Sequence, residues 1–105
     1  MAKAEVHAGN CGFITTIETT LEGDVCKIAM QSDCSAIQRM AKELSEVNPF
    51  QEISFRRKLP LTMEMAIKHC SHAACPVPVG IIKAVEVESR LALPADVTIK
   101  ISRSE

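Results

Sequence analysis

Ile14-Thr15-Thr16-Ile17-Glu18-Thr19-Thr20-Leu21, followed by Glu22-Gly23-Asp24 and then Val25-Cys26-Lys27-Ile28-Ala29-Met30, is the stretch on which the fold turns. The first run is rich in β-branched residues. The second places Cys26, Ile28 and Met30 on one face, and the glycine between the runs permits a tight reversal. The pattern predicts a β-hairpin. Upstream, Lys3 to His7 reads as a further short strand, which leaves Ala8-Gly9-Asn10-Cys11-Gly12 as a glycine-flanked bend exposing Cys11. Downstream, Ser32 and Asp33 offer N-caps to a helix on which Ile37, Met40, Ala41, Leu44 and Val47 recur at helical spacing until Asn48-Pro49 stops it.

The remaining chain alternates in type. Phe50 to Phe55 reads as a short strand, and Thr62 can cap a helix carrying Met63, Ala66, Ile67 and Cys70 as an apolar stripe. Pro76 and Pro78 open a third helix through Ile81, Ile82, Val85 and Leu91. Pro94 ends that helix, and Val97, Ile99 and Ile101 alternate with polar residues as a final strand. About four short strands interleaved with helices predict an α/β (α+β) two-layer sandwich, with a small mixed or antiparallel sheet and about three helices on one face. With 105 residues and no linker, repeat or low-complexity tract, residues 1–105 read as a single domain.

Composition narrows the functions available. Twelve basic and thirteen acidic residues leave a net charge of −1, and Arg56-Arg57-Lys58 is the one dense basic run, too short for a phosphate-tracking stripe. Nucleic acid is therefore not expected as a partner. Three Phe and no Trp or Tyr leave little from which to build base-stacking or cation-binding platforms. No apolar stretch approaches the ~18 residues of a membrane span. An apolar content of 47% on so short a chain suggests surplus surface to bury against a protein partner or a second copy.

Five cysteines, with no charged-then-apolar leader after Met1, predict a reducing cytoplasm in which thiols act as ligands, nucleophiles or small buried hydrophobes. Between His69 and Pro78 the chain reads His-Cys-Ser-His-Ala-Ala-Cys-Pro-Val-Pro, crowding Cys70, His72 and Cys75 together. A metal needs about four donors, and Cys70 and Cys75 supply two. Cys11, in its bend, and Cys34, at a helix start, stand at element boundaries. The expected ligand set is thus Cys11, Cys34, Cys70 and Cys75, with His72 as a substitute, around zinc or an iron–sulfur cluster; the spacing does not choose between those two. Cys26 shares a face with Ile28 and Met30 and reads as core. Taken singly, Cys11, Cys34 and Cys70 also suit ordinary packed thiols.

Two resemblances accompany these residues. Cys75-Pro76-Val77-Pro78, with Val79 to Val85 after it, is similar to the Cys-Pro-x-Pro helix start of the TusA-type sulfur carriers. That likeness covers about thirty residues, through the strand expected near Ile101, and implies a two-layer sandwich with Cys75 as the persulfide carrier. In that family the motif lies near the chain start. Over its whole length, through Asn10-Cys11-Gly12-Phe13, Ser32-Asp33-Cys34 and Cys70 to Pro78, the chain also resembles a family of small uncharacterised prokaryotic proteins, a likeness that implies no activity.

Conventional catalysis has less support. His72 could reach Cys75 from three residues away, but no Ser-His-Asp order, phosphate-cradling loop or paired-carboxylate motif accompanies it. The leading expectation is a small cytoplasmic metal- or iron–sulfur-binding protein. The alternatives are a sulfur carrier or redox-active thiol protein centred on Cys75, and an oligomerising or partner-binding domain whose cysteines only pack.

Overall fold

The computed structural model describes residues 1–104. Three strands come first: β1 (Ala2–His7), β2 (Ile14–Glu22) and β3 (Val25–Gln31). Helix α1 (Ser35–Glu43), the two-residue strand β4 (Glu46–Val47), the single turn α2 (Pro49–Glu52), α3 (Leu61–His69) and α4 (Val77–Glu88) follow. The strands form one antiparallel sheet in the order β1-β2-β3-β4. The expected α+β architecture, a sheet layered against helices, is the one observed.

The hairpin closes as its alternation requires. Glu22 pairs with Val25 across a two-residue turn, and Gly23 takes the positive φ of +64° that such a turn demands. On the inner face, Thr15, Ile17 and Thr19 of β2 are buried beside Cys26 and Ile28 of β3, while Lys3, Glu5 and Lys27 face water. Two threonines in an apolar layer need partners. Thr19 Oγ1 donates to the carbonyl of Ala84 at 3.0 Å, and Thr15 Oγ1 donates to Ser32 Oγ at 2.9 Å.

Helix α4 is the central element of the second layer. Val77, Ile81, Ala84 and Val85 are buried in one cluster with Ile17, Ile28, Ile37, Met40 and Leu44. Each such aliphatic side chain contributes about 1.5–3 kcal/mol by leaving water. Close approach depends on Gly80, where a Cβ would lie 2.5 Å from Cγ2 of Val6. Pro76 and Pro78 start the helix as the sequence suggests. It stops at Glu88 and does not reach Leu91, because Arg90 turns left-handed (φ 61°) and the amides of Arg90 and Leu91 donate back to Val87 and Glu86 at 3.2 and 2.8 Å.

Other expectations are corrected. Helix α1 ends at Glu43 and not at Val47; Leu44 is buried beyond it, and Val47 joins the sheet opposite Cys26. Cys34 occupies the N-cap position in place of Ser32 or Asp33. Phe50 to Phe55 is not a strand: Asn48 Oδ1 accepts the Phe50 amide at 3.0 Å and Pro49 opens a helical turn, leaving Phe50 and Phe55 exposed. Thr62 does not cap α3 with its own hydroxyl. Glu52, buried, accepts from the Leu61 and Thr62 amides at 2.9 Å each and from Thr62 Oγ1 at 2.6 Å. A carboxylate there satisfies the unpaired donors of a helix start and matches its dipole. Ile67 leaves the expected apolar stripe, being 74% exposed. The final strand is also not formed: residues 92–104 have no regular structure, and Val97, Ile99 and Ile101 are exposed.

Candidate functional site

Strand pairing sorts the cysteines between the two ends of the sheet. His7 pairs with Ile14, so the bend bearing Cys11 closes the β1–β2 hairpin at one end. There the Gly12 amide donates to Gly9 at 2.9 Å, and Cys11 is exposed. Gln31, the last residue of β3, pairs with Thr16, and Ser32 meets Thr15; Cys34 therefore emerges at that same end. Helix α4 lies along the sheet from Gly80, against Val6 and Ile17, to Glu88, whose Oε2 accepts the Leu21 amide at 2.8 Å. Its N-terminus, with Cys75 just before it, thus belongs to the Cys11 and Cys34 end. Cys26 lies at the opposite end, between Leu21 and Val47, and is fully buried as expected of a core thiol.

Local hydrogen bonds fix the three inner thiols. The Cys34 amide donates to Ser32 Oγ at 3.1 Å, and its carbonyl accepts from the Gln38 amide at 3.0 Å, which sets it at the first turn of α1. Cys70 ends α3, its amide donating to Ala66 at 2.8 Å. The Cys75 amide donates to His72 at 3.3 Å, closing the loop that leads to Pro76 and α4. All three side chains are half-buried and pack against the main core.

Cys70 stands within electrostatic reach of the other two. Burial, first, and then the neighbouring thiols of Cys75 and Cys34 push the Cys70 thiol up to about 11 from an ordinary 9.0. A third half-buried thiolate beside two sulfurs is disfavoured unless a cation offsets it. Cys26 is also shifted upward, by burial and then by Glu88, without a second cysteine among its causes. Of the expected residues, Cys34, Cys70 and Cys75 are half-buried against the core at helix boundaries, Cys11 is exposed in its bend, and His72 is exposed in the Cys70–Cys75 loop. Among the described residues, no group of three or more His, Cys, Asp or Glu side chains is arranged to hold a metal ion.

Beside the thiols lies a contact that sequence reading missed. Glu43 of α1 accepts from Lys68 Nζ at 2.8 Å and pairs with His69 Nε2, and these two α3 residues hold its carboxyl below the usual range. The contact ties the helix that begins after Cys34 to the helix that ends at Cys70. No local signal marks it, since the partners are 25 and 26 residues apart.

The elements carrying these thiols lie within one matched segment, residues 2–101. The chain belongs to DUF6951, a family of unknown function. No curated protein and no solved structure matches it. The DUF6951 match runs from β1 to the end of the apolar alternation at Ile101. Among the described residues, no helix is long and apolar enough to cross a membrane.

Proposed function

We propose that this DUF6951 chain is a small soft-metal-binding protein of the cytoplasm, in which Cys34, Cys70 and Cys75 hold zinc or an iron–sulfur cluster. The reading is carried by one observation: Cys34, Cys70 and Cys75, half-buried and drawn from the boundaries of three separate helices, pack against the same core at one end of the sheet. Thiolates are the donors such centres use, and a bound cation offsets both the burial and the neighbouring thiols that raise Cys70. Cys11, at the same end of the sheet, or His72, in the connecting loop, completes the set. A bound ion would supply a fixed structural or regulatory centre; a cluster would supply electron transfer or sensing.

The test is elemental analysis with an ultraviolet–visible spectrum on protein purified without oxygen. The expected result is stoichiometric zinc or iron, lost in Cys34→Ser, Cys70→Ser and Cys75→Ser and retained in Cys26→Ala. Metal-free protein after reconstitution with either zinc or iron and sulfide overturns the proposal.

A second reading rests on Cys75 itself, which directly precedes the Pro76–Pro78 start of α4 and has Cys70 as a sulfur neighbour. It makes the chain a sulfur carrier or dithiol protein, in line with the likeness of this segment to TusA-type carriers. Under it, the metal-free protein shows one thiol, Cys75, whose thiolate takes the outer sulfur of a persulfide donor, the donor's S–S bond breaking to release its thiol.

A further inference from the structure

Beyond the thiols, the unused feature of greatest extent is the segment after α4. Residues 91–104 are all exposed, and among the described residues 92–104 make no backbone hydrogen bond. Yet Val97, Ile99 and Ile101 alternate with Thr98, Lys100 and Ser102, the signature of a strand with one buried face, and are 59, 73 and 89% exposed. The matching vacancy is at the far side of the sheet. Among the described residues β1 pairs only with β2, so its outer edge is open there, and its inner face carries the small residues Ala2 and Ala4. Beside it, between β1 and α4, runs a groove of about 830 Å³ with an apolar floor of Ala4, Val6 and Ala84, charged walls that include Lys3, Lys83 and Glu88, and the chain's own Pro94 to Thr98 along it.

We infer that the segment from Val97 to Ile101 adds to the open edge of β1 in a second copy of this chain, giving a symmetric dimer by reciprocal exchange. Size fits: large β-branched residues meet an edge where β1 carries only the small side chains of Ala2 and Ala4. Direction fits as well, because the chain passes its own groove only as far as Thr98, and Ile99 and Ile101 are the more exposed residues beyond it. Area suffices for a second copy. The chain exposes 7467 Å², whereas a compact monomer of 11.4 kDa exposes about 5,800 Å². The excess of about 1,700 Å² per copy is above the ~800 Å² per partner of a standard stable interface. Reciprocal strand addition is isologous and closed, so it ends at two copies and removes the exposed edge that would otherwise invite aggregation.

The experiment is light scattering over a dilution series, joined to an isotope-filtered NMR spectrum of a mixture of labelled and unlabelled full chains. The expected mass is twice 11.4 kDa, with contacts between Ile99 or Ile101 methyls of one chain and Val6 of the other. Ile99→Asp with Ile101→Asp, and separately a chain ending at Ala95, should each halve the mass while leaving the circular dichroism of the folded sheet and helices. A monomeric natural chain, a dimer that survives either change, or methyl contacts confined within one chain overturns the inference.

Discussion

The two ends of the sheet hold the same residue type in opposite states. At one end Cys26 is sealed between Leu21 and Val47, under an end of the molecule closed by hydrogen bonds: Glu88 accepts the Leu21 amide and pairs with the N-terminal amine at 3.1 Å. The turn α2 follows directly from Val47, and its Glu52 closes the start of α3. At the other end, Cys34, Cys70 and Cys75 are half-buried at the boundaries of α1, α3 and α4, and Cys11 stands in an open bend. A cysteine on a strand face is a small hydrophobe; cysteines where elements begin and end are available for chemistry.

The contrast can be broken from the closed end first. Glu52→Gln removes one acceptor oxygen and sets an N–H₂ against helix amides, so it should cost about 3 kcal/mol, the largest single effect expected here, read as a fall in thermal midpoint. Cys26→Ser buries a hydroxyl in the core and should cost about 2 kcal/mol. Cys34→Ser, at a half-exposed cap position, should cost less than about 0.5 kcal/mol under metal-free conditions, and equal losses for the two serine variants would erase the distinction between the ends.

A smaller effect sharpens the comparison through pH. Because folding raises the Cys70 thiol from 9.0 to about 11, its contribution is fully present below the ordinary value and is lost as pH rises toward 11. Stability of the metal-free chain should therefore fall over that alkaline window, and Cys70→Ser should flatten the slope in part, Cys26 supplying the remainder. The opposite limb belongs to the closed end. The Leu21 amide, and then the N-terminal amine, hold Glu88 below 4.5, so its contribution is present above that value and lost as pH falls through the folded one. Glu88→Gln should flatten the acid limb of a denaturation series by the least of these amounts.

What could be read from residues alone follows a physical division. The hairpin was legible because alternation and Gly23 are local, and the start of α4 because proline acts on its own backbone. The capping of α3 by Glu52 was not legible, since the acceptor lies nine and ten residues from its donors and Thr62 offered a nearer, mistaken cap. Val97 to Ile101 shows the limit of periodicity: alternation states that one face wants burial, without stating against what. For the thiols, spacing grouped Cys70 with Cys75, but only the register of β2 against β3 and the lie of α4 bring Cys34 to them.

Thr19 is joined to Ala84, and Leu21 to Glu88, across 65 and 67 residues of chain. On the ribosome, where about 5–20 residues appear each second, the hairpin is therefore complete several seconds before the helix that covers it has been made. During that interval Ile17 and Ile28 have only the α1 side chains Ile37, Met40 and Leu44 to pack against. The inner face of the newborn sheet is thus fully covered only once the last third of the protein has been synthesised.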